Sequence, residues 1–145
     1  MSGVLLDTAV YATAARLHQP ELIEARRYDE PLYLSTVVAQ ELYVGATERS
    51  ERRELDRLWR SFEQVRRLVV PTANDWREAG IILSQVGQQL GYDRVGRGRL
   101  TNDALIGVSA YRLGLMIVTA NRRDFEVLAR YRPFRLSIIS DLPTS

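Results

Sequence analysis

The chain has 145 residues, 46% of them hydrophobic, and no cysteine; this is the make-up of one compact domain without disulfides, a zinc knuckle or a thiol nucleophile. The net charge is +2, and all 20 basic residues are arginine. The lack of lysine excludes Walker-type phosphate loops, Schiff-base catalysis and receiver-domain signalling. No apolar run approaches the ~18 residues of a membrane span, and the N-terminus has no basic leader. The expectation is a soluble protein of the reducing cytoplasm, one domain over 1–145 with the DLPTS tail frayed. Arginine's planar fork suits phosphate and acidic partners, although genome base composition produces the same bias.

Val4-Leu5-Leu6 reads as a buried strand ending at Asp7. A helix is predicted from Ala9 to His18, then a second strand at Leu32-Tyr33-Leu34, with Ser35-Thr36 capping a helix from Val37 to Thr47. Leu55, Leu58, Phe62 and Val65 mark an amphipathic helix, and Leu68-Val69-Val70 a third strand. The spacing of Trp76, Ala79, Leu83, Val86 and Leu90 predicts another helix, capped by Asn74 and ended by Gly91. YDRVGRGRLTN is expected to be a loop whose Thr101 and Asn102 aim Asp103 inward. Asp103 to Leu113 is then helical, Leu115 to Val118 a strand, Asn121 to Tyr131 a helix, and Leu136 to Ile139 the last strand. Strands alternating with helices imply a parallel sheet of about four to five strands, covered on both faces.

Ligands of such sheets gather at the carboxyl ends of the strands. Asp7 ends the first strand there, Glu41 follows the second, Asp103 opens the helix before the fourth, and Thr119, Asn121 and Asp124 follow it. Each acid has a structural reading of its own. Asp7 caps a helix, Asp103 complements a helix dipole for about 0.3–1 kcal/mol, and Asn121-x-x-Asp124 matches a capping box. Glu41 borders an apolar stripe and needs an ion pair or a metal there. Crowded together, the four carboxylates would repel one another, and a hard divalent cation, Mg²⁺ or Mn²⁺, removes that conflict. His18 is expected at the surface, away from the acids. Arg94, Arg97 and Arg99 in the glycine-bearing loop, with Arg122 and Arg123 beside the acids, are candidates for holding phosphates. Tyr43, Trp59 and Phe62 lie on helices of a kind that offers a groove to a partner, Phe62 reading better as core.

The blocks VLLDTAV, LSTVVAQELYVGA and LTNDALIGVSAYRLGLMIVTANRRDF, in that order and with T-x-N-x-x-D-F intact, resemble the PIN-domain nucleases, and within them the VapC toxins of bacterial toxin–antitoxin systems. The resemblance covers essentially the whole chain. One departure is Ala9, where many relatives carry a small polar residue or asparagine. The resemblance implies a three-layer α/β/α PIN-like fold and a Mg²⁺-dependent endoribonuclease. Asp7 and Asp103 are then the principal metal ligands, with Glu41 and Asp124 completing the cage; Thr119 orients a carboxylate or water, and Asn121 braces the turn. It also implies a VapB-like antitoxin that inserts an arginine among the acids, a homodimer, and promoter DNA bound through the antitoxin. A haloacid-dehalogenase-type phosphatase is excluded, since the chain has neither Asp-x-Asp nor a lysine. An RNA-processing nuclease without an antitoxin, and a catalytically silent RNA-binding module, remain as alternatives.

Overall fold

The computed structural model describes residues 2–96 and 100–139. Arg97, Arg99 and the C-terminal tail lie outside them, as does the side chain of Arg94. Five strands, β1 (Val4–Leu6), β2 (Leu32–Ser35), β3 (Leu68–Val69), β4 (Met116–Thr119) and β5 (Leu136–Ile138), pair in the order β3-β2-β1-β4-β5. Every pairing is parallel, with Leu5 opposite Tyr33 on one side and Ile117 on the other. The VLL run of β1 is wholly buried, because helices cover both faces of the sheet and no face is left for polar alternation. The result is the expected α/β/α fold.

The helices are α1 (Thr8–Arg16), α2 (Thr36–Gly45), α3 (Arg49–Gln64), α4 (Ala73–Leu90), α5 (Tyr92–Gly96), α6 (Leu100–Leu113) and α7 (Arg122–Ala129). Two 3-10 turns, Pro20–Ile23 and Ala25–Arg27, lead from α1 to β2. Ser35 caps α2 as its sequence predicts, its hydroxyl accepting from the Val37 N–H at 3.1 Å. His18 is exposed, as expected, and holds a left-handed backbone with φ 52° just after α1.

Three local expectations are corrected. The segment after Gly91 is not a simple loop: α5 forms at once, and α6 begins at Leu100, whose burial at 3% exposure draws its turn into the core. Thr101 and Asn102 are therefore helical, and Asp103 sits inside the first turn of α6. Asn74 lies within α4, and the cap is Thr72. Thr72 and Asp75 form a capping box, each side chain bonding the other's backbone N–H at 3.1 and 2.9 Å.

Asp75 also receives Arg112 from α6, whose Nε lies 3.1 and 3.0 Å from its two oxygens and whose Nη2 lies 2.9 Å from one of them. This pair clamps the start of α4 to the end of α6. At the other end of the chain, Phe125 anchors α7 by an edge-to-face contact with Phe134, ring centroids 6.3 Å apart.

Candidate active site

The strand order reverses between β1 and β4. The chain lays down β1, β2 and β3 toward one edge, then returns to add β4 and β5 on the other side of β1. In an open parallel sheet such a switch point leaves a crevice beyond the carboxyl ends of the strands. Asp7 follows β1 and Thr119 ends β4, so both stand at that crevice. The Asp7 N–H donates to the Val118 carbonyl at 2.9 Å, which fixes the turn out of β1 against β4.

From Asp7 a line of hydrogen bonds runs both ways. The Thr8 N–H donates to Asp7 Oδ1 at 2.7 Å, and the buried Thr119 hydroxyl donates to Asp7 Oδ2 at 2.7 Å. Thr119 Oγ1 in turn accepts the Asn121 N–H at 2.8 Å, and Asn121 Nδ2 donates to Asp124 Oδ2 at 3.2 Å. In the other direction the Thr8 hydroxyl donates to Glu41 Oε1 at 2.7 Å. Glu41, Thr8, Asp7, Thr119, Asn121 and Asp124 thus form one connected row drawn from three separate segments of the sequence. The capping box expected at Asn121 is absent: Asn121 makes no side-chain cap, and its amide braces Asp124 instead.

Asp103 is buried at 3% exposure. Gly114 and Leu115 lead from the end of α6 into the start of β4, so the first turn of α6, with Asp103, points toward the carboxyl edge of the sheet. α6 also packs against α2, the helix that carries Glu41. Asp103 therefore lies on the side of the fold where the row of donors and carboxylates stands.

The electrostatics single out Asp7. Burial pushes its carboxyl above the ordinary value of 3.8, and the nearby charge of Glu41 pushes the same way. The hydrogen bonds from Thr119 and Thr8 oppose this but do not reverse it. A buried carboxylate with a like charge beside it is the condition a cation relieves. The donors are all hard oxygens, which is the chemistry of Mg²⁺ and Mn²⁺. Among the described residues no group of three or more acidic or histidine side chains is gathered tightly enough to hold an ion. By donor type the carboxylates of Asp7, Glu41, Asp103 and Asp124 match such a cation, and the burial and like charge at Asp7 are what it would relieve.

Two grooves stand out among the described residues, and the first of them is lined by residues of the row. One, of about 510 Å³, lies among α1, α2 and α3, and Thr8 and Glu41 line its inner end. Its outer wall carries Glu51 and Glu54, with Leu42, Leu55 and Leu58 as apolar floor. The other, of about 460 Å³, lies between the end of α4 and α7 and is lined by Leu90, Arg122, Arg123, Glu126, Val127 and Arg130. Arg122 and Arg123 immediately precede Asp124 on the first turn of α7, and both are exposed. Tyr43, Trp59 and Phe62 are half-buried against the core and do not line the first groove. The Tyr43 hydroxyl is spent on Asp56 at 2.6 Å; burial and that carboxylate push it up to about 12.

Sequence reasoning missed Glu51, Glu54 and Arg130. Glu51 and Glu54 sit on a strongly charged helix, and only the apposition of α3 with α1 shows which of its acids face inward. Arg130 follows the last residue of α7, and its i+7 and i+8 spacing from Arg123 and Arg122 was the available signal.

Fold and site together define an α/β domain with a carboxylate row at the switch point of a parallel sheet. Residues 4–131 match the family model of the PIN domain, and the chain belongs to that family. Among curated protein sequences none matches. Among solved structures, the DNA-bound VapBC of Salmonella typhimurium is 19% identical, with TM-score 0.69 over 95% of this chain and 98% of that one. VapBC-1 of nontypeable Haemophilus influenzae is 20% identical, with TM-score 0.67 over 94% and 97%. VapBC2 of Rickettsia felis, bound to a promoter DNA fragment, is 18% identical, with TM-score 0.65 over 94% and 98%. At these identities the similarity is one of fold.

Proposed function

We propose that the protein is a Mg²⁺-dependent endoribonuclease, with Mn²⁺ able to substitute, and the toxin of a VapBC-type toxin–antitoxin pair. The observation that carries this reading is the hydrogen-bonded row from Glu41 through Asp7 to Asp124, built across the switch point of a PIN-domain sheet. Asp7 and Asp103 would be the principal ligands, with Glu41 and Asp124 completing the cage. When bound, the cation supplies a charge for a phosphate oxygen and lowers the pKa of a water nucleophile.

The chain's own residues prepare that site. Thr8 N–H and Thr119 Oγ1 each occupy one lone pair on a separate oxygen of Asp7, leaving each oxygen another to offer. Both donors fix the carboxylate's rotamer before any ligand arrives, so little ordering is left to do on binding. Thr8 ties Glu41 to the same framework. Asn121 holds Asp124 and its own N–H holds Thr119, so the far side of the row is braced from the backbone. His18 is exposed beyond α1 and belongs to none of this, which leaves water activation to cation and carboxylate.

The antitoxin reading rests on the groove beside Glu41. Its acids and apolar floor suit a basic, amphipathic peptide whose arginine reaches the carboxylates and so blocks the site. The similar VapBC structures, two of them bound to DNA, support a VapB-like partner and promoter binding through it. A homodimer completes the proposed assembly, and light scattering of the purified toxin checks it.

The deciding experiment is to sequence the RNA ends produced by purified protein with Mg²⁺, using Asp7→Asn and Asp103→Asn as blanks. Defined ends that vanish in both variants and on chelation are expected. Cleavage at wild-type rate by both variants would sink the assignment. Co-purification with the product of a neighbouring small antitoxin gene separates the toxin from an antitoxin-free processing nuclease.

A further inference from the structure

The α1–α2–α3 groove, which reaches the carboxylate row at Thr8 and Glu41, and the α4–α7 groove are opposite in charge. The α1–α2–α3 groove presents Glu41, Glu51 and Glu54 and, among the described residues, no arginine. The α4–α7 groove presents Arg122, Arg123 and Arg130 against the single acid Glu126. Arg122, Arg123, Glu126 and Arg130 are all exposed. They fall on one face of α7, along the i, i+4, i+8 row from Arg122 and the i+7 position from Arg123. The Arg122–Glu126 pair, 3.2 Å apart, has side chains 59% and 48% exposed, so a phosphate displaces it readily. Arg123 and Arg130 pair with no carboxylate among the described residues. At 1.5 Å per residue the three guanidinium groups span about 12 Å of helix, room for a short run of backbone phosphates. Asp124, on the first turn of the same helix, faces Asn121 and the row.

Resting on the nuclease reading, we propose that single-stranded RNA reaches the carboxylates across α7. Arg122, Arg123 and Arg130 hold its phosphates on the side of the site opposite the acidic groove. An anionic strand is repelled by the Glu41–Glu51–Glu54 side and attracted by the α7 side, so charge alone assigns it a direction. The acidic groove is left to a cationic peptide. Substrate and inhibitor then approach from opposite flanks and compete only at the carboxylates themselves.

The test uses the Asp7→Asn protein, which keeps RNA intact, with Arg123→Gln and Arg130→Gln added together. A short fluorescent single-stranded RNA of mixed sequence is titrated at several salt concentrations. The proposal expects affinity to fall about tenfold and the log–log salt slope to become shallower by about 1.4, the value for two lost contacts at ~0.7 per phosphate on a single strand. Glu51→Gln with Glu54→Gln should leave RNA affinity unchanged or raised. If the wild-type protein cuts RNA, the Asp7→Asn protein binds it, and the arginine pair changes neither affinity nor slope, the α7 route is wrong while the nuclease reading stands. If the arginine pair loses antitoxin binding and keeps RNA binding, the face belongs to a protein partner and the proposal falls. A wild-type protein that neither binds nor cuts RNA takes down both.

Discussion

Asp7 and Asp75 are alike in sequence context and opposite in physics. Each is an aspartate at the start of a helix, 4% and 1% exposed, and each accepts hydrogen bonds from the backbone and from a side chain. Burial pushes both carboxyls up. At Asp75 the hydrogen bonds and charge of Arg112, with Thr72, more than reverse this and hold it below the ordinary 3.8. At Asp7 the charge that acts among the described residues is Glu41, of the same sign, and the carboxyl stays high. Arg112 closes the account at Asp75, which becomes a structural clamp between α4 and α6. Asp7 is kept under stress by the fold, the state that a cation at the proposed site would relieve.

The largest effect expected from this contrast is at Asp7. Asp7→Asn should lower RNA cleavage about a thousandfold, close to 4 kcal/mol of transition-state stabilisation at 1.36 kcal/mol per decade. The same change should raise stability in metal-free buffer at neutral pH by roughly 1 kcal/mol, about 3 °C in Tm. The amide still fits, since its oxygen accepts the Thr8 N–H and its nitrogen can donate to Thr119 with the hydroxyl turned. A parallel Asp75→Asn protein should do the reverse, melting lower while each folded molecule cuts as before. Cleavage assays and thermal unfolding on the two proteins read all four outcomes, and an Asp7→Asn protein that melts below the wild type in chelator would break the contrast.

Next in size is the clamp itself. Arg112→Ala leaves Asp75 buried without its cation. Removing one partner of a fully buried pair costs about 3–5 kcal/mol. The Arg112 side chain keeps 35% of its surface in water, so the expected loss is smaller, about 2–3 kcal/mol. Urea unfolding measures it. Adding Asp75→Asn to Arg112→Ala should recover part of the loss, and strict additivity of the two changes would argue against a coupled pair.

The pH dependences should then run in opposite directions. Asp75's carboxyl is held low, so its contribution is present above pH 3.8 and disappears as pH falls through its depressed value. Asp7's carboxyl is held high, so its contribution is complete below pH 3.8 and is lost as pH rises through its raised value. Without metal, the stability gap between Asp7→Asn and wild type should open as pH rises above about 4, while that between wild type and Asp75→Asn closes as pH falls below it. Added Mg²⁺ should shrink the first gap and leave the second untouched.

Much of this contrast was legible in the sequence, for reasons that differ by residue. The strands were readable because both faces of the sheet are buried, so VLL and MIV stand as unbroken apolar runs. Once a parallel sheet was inferred, Asp7, Thr119 and Asp124 fell at its carboxyl edge by position alone, and in the structure the Thr119 hydroxyl bonds the Asp7 carboxylate. Asp75 gave no such signal. Its importance depends on Arg112, 37 residues away, and Asn74 beside it was an equally good cap by type. The start of α6 was misplaced because glycine and arginine upstream read as loop, while the burial of Leu100 is a tertiary effect. The grooves were hidden for the same reason: which acids of α3 face α1, and which arginines of α7 face α4, is decided by packing.

The smallest expected effect concerns Thr8, the one direct side-chain tie between the Asp7 segment and Glu41. Thr8→Val keeps the shape and the backbone N–H to Asp7 but deletes the hydroxyl that holds Glu41. A hydrogen bond to a carboxylate is worth about 1.5–3 kcal/mol when buried, and Glu41 is only half-buried, so roughly a tenfold loss of kcat is expected. Glu41 without its donor swings away from Asp7, which relieves the like-charge contact. Asp7's carboxyl should therefore move down toward its ordinary value, and the acidic limb of the pH–rate profile should shift to lower pH in Thr8→Val. Thr8→Ser restores the hydroxyl and should recover both rate and profile. A valine variant with reduced kcat but an unmoved acidic limb would mean that Thr8 supports Glu41 without linking it to Asp7, and the stress on Asp7 would then come from burial alone.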